Sequence, residues 1–193
     1  EDIDEFGNLK KINIECPENF NFGYDVVDAI ADETPDKRAL VWCNVEGEER
    51  IFTFAEVKEL SNKAANVFYN AGLRKGDKVM VILKRHYEFW IVSVALHKLG
   101  ITMIPATHML TVKDLIYRME CSQAKGFICT PNDGVPQKVL ETLEKTNLPC
   151  KLWSVQKDVK GFENLTTAME SADSNLSRVT TNSDEHMLLY STS

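Results

Sequence analysis

Residues 77–105 read Asp77-Lys-Val-Met-Val-Ile-Leu83, Lys84-Arg-His86, Tyr87-Glu-Phe-Trp-Ile-Val-Ser-Val-Ala-Leu-His-Lys-Leu99, Gly100 and Ile101-Thr-Met-Ile-Pro105. The first block is a near-continuous apolar run, the pattern of a central parallel strand covered on both faces. The Tyr87–Leu99 block has the length and composition of a buried helix stopped by Gly100. The last is a short strand ended by Pro105. Strands joined through a helix require right-handed crossovers and a mostly parallel sheet.

The alternation continues toward the C-terminus. Thr111 caps a helix to Cys121 with Asp114 in the capping-box position, Gly126–Cys129 is a strand, and Pro136 suits the first turn of a helix over 135–145. Lys151–Val155 is again a strand. Residues 156–183 read as a surface excursion, with a short helix over 162–169 and then a Ser/Asn/Thr-rich stretch fitting an ordered loop or a flexible linker. Glu185-His-Met-Leu-Leu-Tyr190 reads as a last strand leading into Ser191-Thr-Ser193.

Toward the N-terminus, Thr53-Phe-Ala-Glu56 is a capping box opening a helix with apolar residues Val57, Leu60, Ala64, Val67, Phe68 and Ala71, closed by Gly72. Before it, residues 39–45 and 50–53 flank Glu46-Gly-Glu-Glu49 and predict a β-hairpin outside the parallel pattern, in a second small sheet. Val26, Val27, Ile30 and Ala31 mark a helix from Asp25 to Glu33, ended by Pro35, and residues 1–24 form a polar N-terminal arm. The fold class is therefore α/β, a doubly wound, mostly parallel sheet flanked by helices, with an N-terminal hairpin.

A chain of 193 residues with 44% apolar content buries one sizeable core. Its net charge of −7 disfavours a nucleic-acid surface. Five cysteines without a close CxxC pair read as thiols in a reducing compartment, and the four histidines lack metal-ligand spacing. The start, Glu1-Asp-Ile-Asp-Glu5, has neither the basic nor the apolar stretch of an export signal, and no apolar run is long enough to span a bilayer. These features predict a cytoplasmic protein. There is no GxSxG, complete glycine-rich phosphate loop or HExxH, so neither a catalytic residue nor a metal ligand is assigned.

Tyr190-Ser-Thr-Ser193, after Met187-Leu-Leu, resembles the start of the phosphate-binding loop of the adenylate-forming acyl-CoA synthetases, in which Gly-Thr-Thr-Gly-x-Pro-Lys follows. Phe52-Thr-Phe-Ala-Glu-Val57 resembles that family's early helix, and Gly72-Leu-Arg-Lys-Gly-Asp-Lys-Val79 its Gly-hydrophobic-x-x-Gly-Asp-x-Val turn and strand. Glu88-Phe-Trp90 and Leu99-Gly-Ile-Thr-Met-Ile-Pro105 match the next helix and strand, and Thr111-Val-Lys-Asp-Leu-Ile-Tyr-Arg118 is most similar to the medium-chain branch. The resemblance runs from Phe20 to Ser193.

It implies the leading part of an N-terminal AMP-binding domain, residues 25–193, cut at the start of the phosphate loop. The parent enzyme would be an acid–thiol ligase using a carboxylic acid, ATP with Mg2+, and coenzyme A. The remainder of that domain and a C-terminal lid would complete it. The fragment alone is expected to be inactive, to hold none of these ligands tightly, and to self-associate through apolar surface. Hydroxyls and amides in such a loop, with the following lysine, grip the β- and γ-phosphates of ATP. Thr192 and Ser193 supply two of those hydroxyls.

The medium-chain branch follows its next strand with Pro-Gly-Thr-x-Gln, whose glutamine contacts the CoA nucleotide. Here the stretch is Pro105-Ala-Thr-His-Met-Leu110, so Met109 takes the glutamine position without an amide donor. As a plain loop, Met109 packs and His108 is solvated. Acetyl-type members place arginines after the strand equivalent to Phe127-Ile-Cys129, where they meet CoA phosphate; this chain has Asp133-Gly-Val-Pro-Gln-Lys138. Arg118 reads as a helix-surface residue, Trp42, Trp90 and Trp153 as core or interface aromatics, and Cys121 and Cys129 as thiols without a base. The alternatives are a non-catalytic α/β binding module or another adenylate-forming enzyme, of the luciferase or peptide-synthetase type.

Overall fold

In the computed structural model, which describes residues 2–11 and 16–191, the chain opens with two short antiparallel strands, β1 (Asp2–Ile3) and β2 (Leu9–Lys11). The first helix begins at Gly23, earlier than the apolar periodicity alone indicates. Residues Gly23–Asp28 are π-wound and continue as α1 (Ala29–Glu33). This stretch lies tight against a later helix: a Cβ on Gly23 would sit 2.6 Å from Lys98 Cγ, so the position has no room for a side chain.

The hairpin forms as expected. Strands β3 (Arg38–Cys43) and β4 (Glu49–Thr53) pair antiparallel in a sheet of their own. Thr53 then caps α2 (Phe54–Asn70): Glu56 N–H donates to Thr53 Oγ1 at 3.2 Å, and Thr53 N–H donates to the Glu56 carboxylate at 2.7 Å. Gly72 follows at φ +99°, a turn conformation that a residue with a Cβ adopts only under strain.

The main sheet is built by strict alternation: β5 (Lys78–Ile82), α3 (Glu88–Lys98), β6 (Thr102–Pro105), α4 (Val112–Ser122), β7 (Gly126–Cys129), α5 (Val135–Thr146) and β8 (Lys151–Ser154). A short edge strand, β9 (Glu163–Asn164), and α6 (Leu165–Ser171) follow. The strand order is β6-β5-β7-β8-β9, all parallel. The chain leaves β5 toward β6 on one side and later returns past it to β7 on the other. Val79 and Val81 pack with Phe68, Ile91 and Leu96 from α2 and α3, and with Leu165 and Met169 from α6. Met80 and Ile82 pack on the opposite face with Leu115, Met119 and Val139 from α4 and α5. The sheet thus lies between two helical layers.

A polar knot ties three helices together inside the first layer. Lys98 is fully buried, and its ammonium donates to Asp28 at 2.6 Å, Asn62 Oδ1 at 2.7 Å and Ser61 Oγ at 3.0 Å. Burial drives the Asp28 carboxyl up and the Lys98 ammonium down, each opposed by the partner's charge.

Two expectations need correction. Glu185–Tyr190 does not form a strand; Leu188 makes one parallel bridge to Met103 on the outer edge of β6, with Met103 N–H donating to Met187 O and Leu189 N–H to Met103 O. An apolar run becomes a strand only where a ladder continues, and here the ladder is a single bridge long. The short helix begins at Leu165, because Glu163 and Asn164 pair with Trp153 and Ser154 and Asn164 is its cap. Of the two readings for Trp90, core or interface, its 56% exposure excludes the core. Of the two alternatives for the Ser/Asn/Thr-rich stretch, the structure shows an ordered loop: Asn62 and Asn66 donate to the carbonyls of Ser174, Asp173 and Asn175, and Arg178 pairs with Asp25 at 2.6 Å.

Candidate functional site

Successive connections that leave β5 in opposite directions open a crevice at the carboxyl ends of the strands, where ligands of open α/β sheets bind. Three loops meet there: 83–87 after β5, 106–111 after β6 and 130–134 after β7. The first two enclose a cleft of about 390 Å³ whose lining includes Lys84, Arg85, Phe89, Ala106, Thr107 and His108.

The loops are held by side chains. His86 Nε2 is 2.9 Å from Thr130 Oγ1, joining the first loop to the third, and burial keeps its imidazole below the ordinary histidine value. Lys84 reaches Asp133 at 3.1 Å, and this bond holds the Asp133 carboxyl below the usual carboxylate range. Lys138 on α5 donates to the carbonyls of His108 and Leu110 at 3.3 and 3.1 Å, fixing the second loop. The Trp42 indole donates to Arg85 O at 2.6 Å, so the hairpin anchors the first loop from behind. Lys84 sits at φ +29°, a strained conformation for a residue with a Cβ.

Glu88 opens α3 beneath this loop. Its Oε2 accepts from Gln156 Nε2 at 3.2 Å, while Oε1 is buried without a partner. The carboxylate lies in the first turn of the helix, where free amide ends favour negative charge.

Met109 is brought to the rim of the cleft, but its side chain is 73% exposed and is not among the lining residues; its N–H donates to Thr107 Oγ1 at 3.3 Å. The plain-loop expectation is reversed: Met109 is solvated, whereas His108 is half-buried and lines the cleft. Thr192 and Ser193 lie outside the described residues. The stretch leading to them passes an apolar groove of about 610 Å³ along β6, lined by Phe22, Trp90, Met103, Leu188 and Tyr190 among others. Phe89 and Pro105 form a wall common to this groove and the cationic cleft.

Other singled-out residues fall outside the site. Arg118 donates to its own helix at Asp114 O. Trp153 is buried and bonds Glu163 at 2.8 Å. Burial pushes the Cys129 thiol up to about 12, the opposite of an activated nucleophile. The residues that sequence reasoning passed over are Lys84, Arg85 and His86. A basic triplet directly after a buried parallel strand was the available signal.

Comparison with known proteins gives a consistent result. The AMP-binding enzyme family matches residues 27–193. Mouse acyl-coenzyme A synthetase ACSM4, mitochondrial, is 35% identical over 99% of this chain and 34% of its own length. Mouse acyl-coenzyme A synthetase ACSM3, mitochondrial, is 39% identical over 93% of this chain and 32% of its own. The chain therefore spans about a third of these relatives. The crystal structure of a Brucella canis acyl-CoA synthetase shares the fold with a TM-score of 0.80 at 18% identity, covering 90% of this chain and 31% of that one. The mitochondrial names of the relatives overturn the cytoplasmic expectation. That expectation rested on the acidic Glu1–Glu5, and first-residue charge speaks of a leader only when the leader lies within those residues. With its parallel sheet, its order of elements and its match over 27–193, the chain belongs to the AMP-binding enzyme family.

Proposed function

We propose that this chain is the leading third of a mitochondrial ATP-dependent acid–thiol ligase, an acyl-CoA synthetase. Residues 1–24 are its N-terminal arm and residues 25–193 the first part of its AMP-binding domain, ending at the phosphate loop. In this reading a carboxylate oxygen of the acid attacks the α-phosphorus of ATP, and the bond to pyrophosphate breaks to give an acyl-adenylate. The thiol of coenzyme A then attacks the acyl carbon and displaces AMP. Mg2+ arrives with the nucleotide as part of that substrate; among the described residues no group of three or more His, Cys, Asp or Glu is placed to hold a metal ion.

The roles of this chain's residues are binding and orientation. Thr192 and Ser193 contribute the first hydroxyls of the ATP phosphate loop. The 106–111 loop, with Met109 at its rim, faces coenzyme A. Met109 offers bulk and a weak sulfur contact in place of an amide, so the CoA grip falls to its neighbours. The observation carrying the proposal is the likeness to acyl-coenzyme A synthetases over nearly the entire chain.

The reading frame beyond Ser193 is the test. A glycine-rich loop ending in lysine is expected there, and the protein it encodes should exchange pyrophosphate into ATP only when a carboxylic acid is present. A stop codon after Ser193, or exchange that does not depend on acid, would overturn the ligase reading. The 193-residue chain alone should show no exchange.

A further inference from the structure

Side chains, not a sheet ladder, decide where the segment between α6 and Tyr190 lies. At its start Asn66 of α2 donates to the carbonyls of Asp173 and Asn175. Further on, Arg178 pairs with Asp25, Asn21 of the N-terminal arm donates to Thr181 Oγ1 at 3.1 Å, and Ser183 N–H donates to Glu18 O at 2.7 Å. Lys75, in the turn before β5, holds the segment twice: its ammonium donates to Thr180 O at 2.8 Å and pairs with Glu185 at 2.6 Å. Thr102, the buried first residue of β6, donates its hydroxyl to His186 O at 2.8 Å. A Cβ on Gly100 would sit 3.0 Å from both Lys75 Cγ and Thr181 Cγ2, so the lysine stem and the segment are closely packed there.

Two backbone bonds about Met103 complete the contact: Met103 N–H donates to Met187 O at 3.1 Å, and Leu189 N–H donates to Met103 O at 3.0 Å. A single bridge has no register of its own, because any two residues of the segment spaced as Met187 and Leu189 could make the same two bonds. The bonds of Lys75 to Glu185 and of Thr102 to His186 O fit one register alone. A slip by one residue would turn the side chains to the other face and carry the following chain about 3.3 Å along β6. From Leu189 to Thr192 the chain has only about 10 Å of extended reach in which to absorb that shift.

We propose that Lys75 and Thr102 are positioning residues. They set the register at which Leu188 to Tyr190 leaves β6, and so the place where the hydroxyls of Thr192 and Ser193 meet a nucleotide. The nucleotide role rests on the ligase reading above; the register does not. Lys75 and Thr102 stand at the amino ends of β5 and β6, away from the carboxyl edge, and act through the chain they hold.

Two measurements test this. In the 193-residue chain, amide hydrogen exchange is followed by NMR for wild type, Lys75→Met/Thr102→Val and the conservative Lys75→Arg/Thr102→Ser. The Met103 and Leu189 amides should exchange at least about tenfold faster in the Met/Val variant and near the wild-type rate in the Arg/Ser variant. Ala106 N–H, bonded to Val81 O on the inner edge of β6, should keep its protection. If Ala106 opens as well, the single variants Thr102→Val and Lys75→Met replace the double. Unchanged exchange at Leu189 overturns the proposal. In the full-length protein, acid-dependent pyrophosphate exchange by Lys75→Met/Thr102→Val should lose about ten- to hundredfold in kcat/KM for ATP, with KM for the acid unmoved, and Lys75→Arg/Thr102→Ser should restore it. Asn66→Ala loosens the same segment at its far end and should keep the wild-type value for ATP. Equal ATP values for wild type and the Met/Val variant, or an equal loss in Asn66→Ala, overturns the positioning role. Wild-type protein without acid-dependent exchange overturns the ligase reading, and the nucleotide role with it, while the amide rates still decide the register.

Discussion

Replacing Lys98 with methionine removes one charge and three donors from the interior while keeping most of the side chain's volume. The ammonium has no exposed surface and bonds Asp28 at 2.6 Å, Asn62 at 2.7 Å and Ser61 at 3.0 Å. Lys98→Met leaves the Asp28 carboxylate nearly buried and unpaired, which costs about 3–5 kcal/mol. With a urea slope of about 2 kcal/mol/M, the midpoint should fall by about 2 M, read from far-UV circular dichroism and tryptophan fluorescence. The loss must also depend on pH. Burial raises the Asp28 carboxyl even with Lys98 present, and an unpaired Asp28 is raised further. A group whose folded pKa is raised contributes stability below its unfolded value, near 4, and loses it as pH rises through the folded pKa. The variant should therefore be weakest at neutral pH and approach wild type as the medium is acidified toward pH ~4. Removing the acid as well, in Asp28→Leu/Lys98→Met, should recover the stability to within about 1 kcal/mol, because an apolar pair replaces an ionic one. A single variant costing under about 1 kcal/mol, or a double variant no better than the single, would refute the view of this knot as one coupled unit.

Further outcomes are specific to other residues. His97 has both ring nitrogens buried without partners, and burial alone brings its pKa down from 6.5 to about 4. Its depressed pKa makes stability present above pH 6.5 and lost as pH falls toward 4, by about 3 kcal/mol, and His97→Leu should flatten that part of the pH–stability curve. Thr53→Ala breaks the capping box of α2 and should cost about 1 kcal/mol in a urea melt, with Glu56→Ala adding little on top because the two bonds act together. In alkylation with iodoacetamide at pH 8, exposed Cys16, Cys43 and Cys121 should react first, while Cys129 and Cys150, both pushed up to about 12 by burial, should resist until the chain unfolds. Self-association of the 193-residue chain through the groove along β6 should weaken on Trp90→Glu, measured by sedimentation velocity; an unchanged distribution would move the contact elsewhere.

Local chemistry was the most legible part of this sequence. Both capping boxes, Thr53 with Glu56 and Thr111 with Asp114, are four-residue devices and appear in the structure as read. Gly126–Cys129 was bounded correctly because its four residues are all buried and flanked by polar ones. Errors came where a partner decides the outcome. Residues 185–190 carry a strand's composition but pair with β6 through a single bridge, Leu188 to Met103, and β9 has no strand composition yet pairs with β8. Core and interface both stayed open for Trp90 because α3 is apolar around most of its circumference, so periodicity cannot identify its outer face. The early, π-wound start at Gly23 follows from the close fit of that glycine against Lys98, far away in sequence.

The candidate site follows the same division, and this decides which of its residues carries weight. Sequence resemblance directs attention to position 109, where the chain departs from its relatives' pattern, but the structure leaves that side chain in solvent. Three basic residues, Lys84, Arg85 and Lys138, surround the cleft with nothing in their spacing to rank them. The ranking comes from partners: Asp133 takes Lys84, the carbonyls of His108 and Leu110 take Lys138, and Arg85 is left over. A charge already satisfied inside the protein must give up that bond before it can hold a ligand, whereas an unengaged guanidinium on a braced loop loses only hydration and side-chain freedom. Binding that collapsed on Lys84→Ala but not on Arg85→Ala would reverse this order and make the Lys84–Asp133 pair a latch opened by the ligand. Collapse on Arg85→Ala alone would leave the pair as a brace.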